Sequence, residues 1–379
     1  MEENNQKPRL RFKGFTEAWE QRKLSDFGKS TGGTSIESEF EDSGKYKVIS
    51  IGSYSENSKY NDQGLRCKLS DKTKIRILNQ GDLTMILNDK TAQGRIIGRA
   101  LLIDKSDEYV YNQRTERIET DTEKYDSHFI YQLLNAPNMR EKIIKQSQGN
   151  TQIFVNWTAI QNTEYLVPSK KEQKQIGEYF DQLDNLITLH QRKCDKLVNV
   201  KKALLEKMFP NNGKNVPELR FSGFTEAWEQ RKLGEIFEYE RPDKYIVESE
   251  EYSENSNTPV LTANKAFILG YTDEDNVYKK EKESVIFDDF TLDSKFVDFP
   301  YMVKSSAIKI LTLKNKNRDN LRFSFELLNS TKFDMLGHAR HYISVVQPRE
   351  VLTPNKQEQD KISQVFESLD NLITLHQQE

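Results

Sequence analysis

The feature that most constrains the fold of this chain is a set of sequence segments that occurs twice, which is called the frame. Residues 8–24 read PRLRFKGFTEAWEQRKL and residues 217–233 read PELRFSGFTEAWEQRKL, with 15 identities in 17 positions. A second repeated segment, LDNLITLHQ, occupies residues 183–191 and again residues 369–377. Self-similarity of this kind is the signature of a repeated structural unit. The chain is therefore predicted to fold as two copies of one frame.

Two variable blocks, residues 25–165 and 234–351, lie inside the two copies of the frame and show little similarity to each other. Segments 46–51, 96–103 and 306–313 have the composition of strands, with Gly, Asn and Asp turn residues around them. Each block is also long enough to form a core of its own. The sequence therefore predicts two mixed α/β blocks.

Helices with an apolar heptad seam are predicted after each block. The first is predicted over residues 172–208 and ends before the Pro210–Gly213 turn. A seam of this kind requires a partner, which is either a second copy of the chain or the second helix of the same chain, and the shared seam favours the latter. His190 and His376 fall on the seam and are interpreted as packing residues, not ligands. The predicted seam consists of Ile176, Phe180, Leu183, Ile187, Leu197, Leu204 and Met208 in the first helix, and Ile362, Phe366, Leu369 and Ile373 in the second.

Composition narrows the class of protein. The 56 Lys and Arg residues against 59 Asp and Glu give a net charge of −3, which excludes a strongly basic nucleic-acid coat protein. Cys67 and Cys194 are too few for a disulfide framework or a four-cysteine zinc site. The polar start of the chain does not resemble a signal peptide, and no apolar run is long enough for a membrane helix. We expect a soluble, cytoplasmic protein without a membrane partner.

No reactive constellation recurs in both halves, so we predict no catalytic residue and no metal site in this chain. Gly28-Lys29-Ser30-Thr31 lacks the earlier glycine of a phosphate-binding loop. His338 and His341 are three positions apart, but residues 342–346 have strand composition, which would place the two imidazoles on opposite faces. A duplicated frame without duplicated chemistry favours a binding or scaffold protein over an enzyme.

The repeated motifs resemble those of the specificity subunit of a type I restriction-modification system. The resemblance covers the whole chain, in order. It implies an α+β fold with two target-recognition domains separated by an antiparallel two-helix coiled coil, in a pseudo-twofold internal repeat. The motifs that carry the resemblance are Trp19-Glu20-Gln21-Arg22-Lys23-Leu24 and Trp228-Glu229-Gln230-Arg231-Lys232-Leu233, Pro168 and Pro354 ahead of Glu172-Gln173 and Glu358-Gln359, and the two Leu-Asp-Asn-Leu-Ile helices.

The resemblance also implies the domain boundaries. Residues 1–168 would form the first target-recognition domain, with its repeated segment at 8–24, and residues 211–354 the second, with its repeated segment at 217–233. Residues 169–210 would form the central long helix, and residues 355–379 a C-terminal helix that is apparently shortened. The shortening is a departure from the family pattern. We expect the seam of residues 194–208 to be left partly unpaired, or to be covered by the N-terminal arm or a partner subunit.

The function implied by the resemblance is non-catalytic recognition of double-stranded DNA. Each variable block would read one half of a bipartite target, and the helices would set the spacer. The implied partners are two modification subunits, which use S-adenosylmethionine, and restriction/translocase subunits, which use ATP and Mg; this chain itself would hold no cofactor. The alternative is a duplicated coiled-coil scaffold that binds two protein partners without DNA specificity.

Candidate DNA contacts follow from the chemistry of recognition. Lys, Arg and amide groups bind phosphates, Arg reads guanine, and Asn or Gln reads adenine. The competing interpretation of every candidate is a solvated turn. In the first block the candidates are Lys90, Thr91, Gln93, Arg95, Arg99, Asn112, Gln113, Arg114 and Gln152. In the second block they are Thr262, Asn264, Lys265, Ser305, Ser306, Arg340 and His341.

Overall fold

The chain folds as two compact units, residues 1–187 and 188–379, which are called unit 1 and unit 2. A long helix crosses the boundary between them and contributes residues to both. The computed structural model describes residues 7–210, 213–264, 266–334 and 340–378.

Unit 1 is organised around two β-sheets. A four-stranded antiparallel sheet has the order β2-β9-β5-β7, and a three-stranded sheet has the order β4-β3-β8, in which β3 and β8 are parallel. Two ribbons, β1-β11 and β6-β10, complete the unit. The strands are β1 Glu20–Lys23, β2 Gly28–Gly32, β3 Tyr46–Ile49, β4 Arg66–Cys67, β5 Leu83–Ile86, β6 Asn88–Asp89, β7 Ala100–Leu102, β8 Tyr109–Tyr111, β9 Thr115–Thr120, β10 Ile153–Phe154 and β11 Glu164–Val167.

Helices pack the core of unit 1 against the four-stranded sheet. The α2 helix begins at an Asp126 cap, whose side chain accepts a hydrogen bond from Phe129 N at 2.9 Å. Phe129, Ile130 and Leu134 of this helix are buried with strand residues in one cluster. The helices are α1 Asp71–Lys74, α2 Ser127–Asn135, α3 Pro137–Ile144, α4 Trp157–Ile160 and the boundary-crossing α5 Lys170–Met208, and short 3₁₀ turns occupy Leu24–Phe27, Glu37–Glu39 and Ile51–Ser53.

One predicted strand of unit 1 is shorter than expected. The pattern of residues 96–103 predicts a continuous strand, whereas only β7, residues 100–102, is observed. Arg99 N donates to Ile96 O at 3.0 Å to close a turn, and Gly98 within it has φ of 72°. Glycine adopts this left-handed conformation readily, and the turn ends the extended segment before β7 begins.

Unit 2 repeats the sheet plan of unit 1. Its four-stranded antiparallel sheet has the order β13-β19-β16-β17, its three-stranded sheet has the order β15-β14-β18, and β12 pairs with β20 in a ribbon. As in unit 1, the three-stranded sheet contains one parallel pair, here between its central strand β14 and its edge strand β18. The strands are β12 Glu229–Lys232, β13 Phe237–Glu240, β14 Thr258–Leu261, β15 Ile268–Thr272, β16 Ser284–Asp288, β17 Ser294–Val297, β18 Met302–Val303, β19 Ile308–Leu313 and β20 Glu350–Thr353.

The helices of unit 2 include one element that the sequence did not predict. Residues 342–346, expected as a strand, form a π-helical turn instead, so that prediction was wrong. Tyr342 N donates to the side chain of Asp289 at 2.7 Å and starts this turn against the sheet. The helices are α6 Leu233–Ile236, α7 Leu321–Ser330 and α8 Lys356–Gln378, with a 3₁₀ turn at Asp243–Tyr245.

Within unit 2, the end of α5 packs against α8 with the two helices running in opposite directions. His190 Nδ1 lies 3.2 Å from His376 Nδ1, and Lys201 Nζ lies 2.9 Å from Asp370 Oδ1. Further along, Phe209 and Phe366 have ring centroids 6.2 Å apart. Residue numbers therefore rise along one helix as they fall along the other.

The register of this antiparallel pair corrects the expectation that the seam of residues 194–208 is partly unpaired or is covered by the N-terminal arm or a partner subunit. Leu204 and Met208 pack in the core cluster of unit 2 together with Ile362 and Phe366. Because the two helices are antiparallel, the first turns of α8 pack against the last turns of α5. The short length of α8 therefore does not leave the last turns of α5 uncovered. In unit 1, by contrast, Phe180 and Ile187 of the predicted seam are 43% and 59% exposed.

The other predicted seam residues are at least half-buried. Ile176 packs against the core of unit 1, and Leu369 packs against the core of unit 2. Leu183, Leu197 and Ile373 have intermediate exposure. None of the helices in the described ranges is long and apolar enough to cross a membrane.

Candidate nucleic-acid interface

The repeated motifs form a clamp that closes each unit onto its long helix. In unit 1, Arg11 binds the carboxylate of Glu172 through two parallel hydrogen bonds of 2.6 and 2.7 Å. In unit 2, Arg220 binds Glu358 in the same way at 2.7 and 2.8 Å. Both glutamates are at most 1% exposed. Bidentate pairs of this kind fix orientation as well as contributing energy.

The glutamine after each clamp glutamate ties the helix to the block. Gln173 accepts a hydrogen bond from Asp126 N at 3.0 Å and donates to Pro168 O at 2.9 Å. Gln359 makes the matching bonds to Asn320 N and Pro354 O, both at 2.9 Å. The sequence alone assigns these Glu-Gln pairs no structural role. Their recurrence in both halves was the available signal that they serve the frame.

In unit 1, the loop that carries the first candidate contacts is held from both sides. Asp89 accepts hydrogen bonds from Thr91 N, the Thr91 hydroxyl and Ile96 N at 2.8–2.9 Å. Buried Arg140 donates to the carbonyls of Gly94, Arg95 and Ile97 at 3.1–3.2 Å, and burial lowers its pKa to about 10. The backbone is therefore fixed by internal hydrogen bonds, while the side chains of Lys90, Thr91, Gln93 and Arg95 are exposed.

Two cations of this loop have partners of their own. Arg95 forms an exposed ion pair with Glu56 at 3.1 Å. Arg99 is half-buried and donates to the hydroxyl of Ser58 and to Arg95 O, both at 2.8 Å, and burial lowers its pKa. Arg99 thus braces the loop, whereas Arg95 can exchange a surface ion pair for another anion at small cost.

Gln152 and Arg114 lie at the same end of the unit 1 sheet as this loop. The register places Ile153 opposite Asp89, so Gln152 lies beside the start of the loop. Arg114 directly precedes β9, its carbonyl accepts a hydrogen bond from Leu87 N at 2.9 Å, and its φ of 68° is unusual for a residue other than glycine. Strained positions of this kind concentrate at functional sites. Both side chains are exposed.

The neighbouring candidates Asn112 and Gln113 are used inside the protein. Asn112 is 6% exposed, accepts from Ile36 N at 3.1 Å and donates to Glu37 at 2.9 Å. Gln113 also donates to Glu37 at 2.9 Å. Hydrogen bonds from Ser35 and Asn112 lower the pKa of Glu37 to about 2, so this acceptor stays charged. The amide of Asn112 is therefore unavailable to a base, because the fold already satisfies it.

A buried carboxyl group lies beside the same sheet end. Glu116 on β9 is 5% exposed, and burial raises its pKa to about 7, although the charge of Arg76 and a hydrogen bond from Ser30 act in the opposite direction. Arg76 is itself held by Gly32 O at 2.6 Å and by the hydroxyl of Tyr111 at 2.9 Å. Burial thus favours the protonated form of Glu116 in the folded unit at pH values below about 7.

This carboxyl group predicts a pH dependence of unit 1. Because folding raises the pKa of Glu116, the contribution of this residue to the free energy of unfolding is greatest at low pH. That contribution declines as the pH rises from about 4.5 to about 7. Glu116→Gln should therefore become progressively more stable than wild type over that interval and hold a constant advantage above it. Thermal unfolding of both proteins between pH 4.5 and 8 measures the difference. Glu119→Gln, at an exposed position of the same strand, is the matched control. A stability difference between Glu116→Gln and wild type that stays the same at every pH would contradict the prediction.

In unit 2, Thr262 and Asn264 are tied to the end of β16. The Thr262 hydroxyl donates to Asn264 Oδ1 at 3.0 Å, and Asn264 Nδ2 donates to Asp288 Oδ2 at 3.1 Å. Thr262 is 9% exposed and Asn264 is half-buried. The next candidate, Lys265, lies outside the described residues, as does His338.

The later candidates of unit 2 divide into exposed and buried groups. Ser306 and Arg340 are exposed, and Ser305 accepts a hydrogen bond from Ala307 N at 3.0 Å in the turn before β19. His341 is only 1% exposed, and its ring nitrogen lies 3.1 Å from Asp289 O. The ring of His341 is therefore buried in the interior, and Arg340 is the remaining candidate of this pair. The guanidinium of Arg340 lies 5.9 Å from the centre of the Phe290 ring.

The exposed candidates of both units collect at topologically equivalent places. In unit 1 they surround the end of β5 and the start of β9, which pair through Ile86 and Thr115. In unit 2 they surround the end of β16 and the start of β19, which pair through Asp288 and Ile308. Across the described ranges, no three His, Cys, Asp or Glu side chains are grouped so that they could hold a metal ion.

A family model for the type I restriction modification DNA specificity domain matches residues 16–199 and 225–379. Among curated proteins, the EcoR124I/EcoR124II specificity subunit of Escherichia coli is 42% identical over 126 residues, which is 32% of this chain and 31% of the relative. The MjaVIII specificity subunit of Methanocaldococcus jannaschii is 27% identical over 130 residues, 34% of this chain and 30% of the relative. The chain thus spans about a third of the length of these curated relatives.

A solved structure shares the fold along almost the whole chain. The S subunit of a type I restriction-modification system from M. genitalium superimposes with a TM-score of 0.70, covering 98% of this chain and 94% of that one. The sequence identity over this match is 15%. The two-unit, mixed α/β architecture is therefore common to both.

Proposed function

Because this chain belongs to the type I restriction modification DNA specificity family, we propose that it reads a bipartite DNA target, one half with each unit. The observation that carries the proposal is the equivalence of the two sheet ends. Each unit gathers exposed arginine with amide or hydroxyl side chains at the same place on the same four-stranded sheet. Arginine and amide groups are the side chains that contact phosphates and base edges.

The contacts proposed for each half-site are exposed candidates, together with the half-buried Asn264 and Ser305. In unit 1 the rigid backbone of the 90–97 loop limits the entropy lost when its side chains bind. Arg99, Asn112, Gln113, Thr262 and His341 are left out because the fold already uses their side chains, and Lys265 lies outside the described residues. The proposed contacts are Lys90, Thr91, Gln93, Arg95, Arg114 and Gln152 in unit 1, and Asn264, Ser305, Ser306 and Arg340 in unit 2.

The helices are proposed to act as a spacer and as a docking frame. Within unit 2, the antiparallel packing of α5 on α8 supports the predicted coiled coil. Two readers on a stiff support recognise half-sites whose separation follows from the support and the DNA pitch. The proposed segments remain 1–168, 169–210, 211–354 and 355–379.

We infer that catalysis belongs to partner subunits. Two modification subunits would supply S-adenosylmethionine chemistry, and restriction/translocase subunits would supply ATP- and Mg-dependent steps. The exposed apolar side chains of α5, Tyr179, Phe180, Leu186 and Ile187, support a docking role, because such patches mark protein interfaces. The acidic balance of residues 217–379, with 21 basic and 29 acidic side chains, fits a chain that depends on partners to neutralise phosphates.

The experiment that tests this function is co-purification of the full chain with a modification subunit from the same host, followed by methylation sequencing. We expect methylated adenines in one bipartite motif, with its two halves separated by a spacer of fixed length. A co-purified complex that methylates no defined motif would contradict DNA recognition. That outcome would favour the scaffold alternative, although the family match does not favour it.

A further inference from the structure

A small cavity lies at the sheet end of unit 2, next to the proposed contacts. Its volume is about 160 Å³. Its floor is an ion pair in which Lys309 Nζ lies 3.0 Å from Asp289 Oδ2, and both side chains are at most 3% exposed. The cavity is lined by Tyr239, Arg241, Asp289, Lys309, Arg340, Ile343 and Ser344.

Positive charge dominates this cavity, although the surrounding unit is acidic. Three cations, Arg241, Lys309 and Arg340, face one carboxylate. Asp289 is already satisfied, since it also accepts a hydrogen bond from Tyr342 N at 2.7 Å. An ammonium group has three donors, and within the described ranges Lys309 uses only one of them. The cavity therefore presents unused donors and excess positive charge.

Arg241 was not among the residues that the sequence singled out. It directly follows β13, and the pairing of Glu240 with Ile310 places it beside Lys309. Its side chain is exposed, and it has no acceptor or ion-pair partner among residues 213–264, 266–334 and 340–378. Arg241 is thus an unpaired guanidinium, within these ranges, at the rim of a cavity whose floor is the Lys309–Asp289 ion pair.

We propose that this cavity binds one backbone phosphate of the DNA half-site read by unit 2, with Arg241 and Arg340 at its rim and Lys309 at its floor. The proposal rests on the proposed DNA-binding function. Lysine and arginine have donors but no acceptors, so the convergence of three such side chains suits a phosphate, which presents only acceptor oxygens, better than the edge of a whole base pair, which carries a donor beside its acceptors. A contact of this type sets the position of the protein on the duplex and carries no sequence information.

The test measures binding of the full chain, in complex with the modification subunit, to duplexes that contain the motif found by methylation sequencing. Arg241→Ala and Arg340→Ala should each raise Kd roughly tenfold, equally for the target and for duplexes with one altered base pair. The slope of log affinity against log salt should fall in magnitude by about 0.9 for each lost contact. Arg241→Lys should keep the slope, because a phosphate contact needs charge more than a planar fork.

Arg318→Ala is the matched control, since Arg318 is an exposed arginine of the same unit that pairs with Glu229 and does not line the cavity. It should leave both Kd and slope unchanged. Unchanged binding by Arg241→Ala and Arg340→Ala, beside a wild-type complex that binds its target, would overturn the phosphate site alone. Relaxed base preference with an unchanged slope would also overturn it, in favour of base reading. A wild-type complex that binds no DNA would overturn the proposed function together with the site.

Discussion

Exchange of the first variable block for that of another family member is expected to change one half of the DNA target and leave the other half intact. Two buried clusters and both the four-stranded and the three-stranded sheet of unit 1 lie wholly inside the block, and the Arg11–Glu172 pair lies outside it. The ends of the graft follow from the structure. Because β11, residues 164–167, pairs with β1, the graft should comprise residues 25–163 and leave that ribbon whole.

Methylation sequencing of the chimaeric complex measures this effect directly, since the modified motif displays both halves and the spacer. The reciprocal graft of residues 234–349, which retains the β12-β20 ribbon, is the matched control and should change only the other half. The spacer length should survive both exchanges because the helices are untouched. A graft that altered both halves together would contradict the assignment of one unit to one half-site.

The frame could be predicted from sequence because its residues recur. The pattern predicts a helix over residues 172–208, and α5 spans Lys170–Met208. Repetition also pointed to the Glu-Gln pairs that close each unit on its helix. What the pattern could not supply was the register of the antiparallel pair in unit 2, in which His376 lies beside His190 and Phe366 lies beside Phe209. The expectation about residues 194–208 failed for that reason.

The shared sheet plan of the two blocks could not be read from their sequences. Strand order depends on pairing between segments far apart in the chain, such as β2 with β9 or β13 with β19. Strands require only a suitable apolar pattern on each face, so many unrelated sequences build the same sheet. The blocks can therefore differ in nearly every residue while they present their exposed loops at the same sheet end.

The candidate site was predicted only in part, for a related reason. Short polar motifs such as Asn112-Gln113-Arg114 look alike in sequence whether they face solvent or the interior. Asn112 is bound to Glu37, 75 residues away, and His341 is buried against Asp289, 52 residues away. The local sequence therefore does not reveal that either side chain is buried. Arg241 was missed because nothing around it in sequence reveals Lys309, which reaches the cavity from another strand.

Arg231→Ala is expected to destabilise unit 2 by about 3–5 kcal/mol, because it leaves the carboxylate of Asp319 buried without its counter-ion. Arg231 holds Asp319 through two hydrogen bonds, of 2.5 and 3.0 Å, and the two side chains are 4% and 1% exposed. The repeat offers a matched control at Arg22, which occupies the same position of the motif in unit 1. Its side chain is 44% exposed and pairs with Glu20 at the surface, so Arg22→Ala should cost less than about 1 kcal/mol.

Hydrogen exchange resolved by peptide separates the two outcomes, since it reports the opening free energy of each unit in the intact chain. In Arg231→Ala, peptides from α7 and β20 should lose protection while those of unit 1 keep it. A second variant tests the mechanism, because Arg231→Met combined with Asp319→Leu removes both buried charges and should recover most of the loss. Equal costs at Arg22 and Arg231 would show that the repeated motif stabilises both units alike, and that burial of the second pair has no energetic consequence.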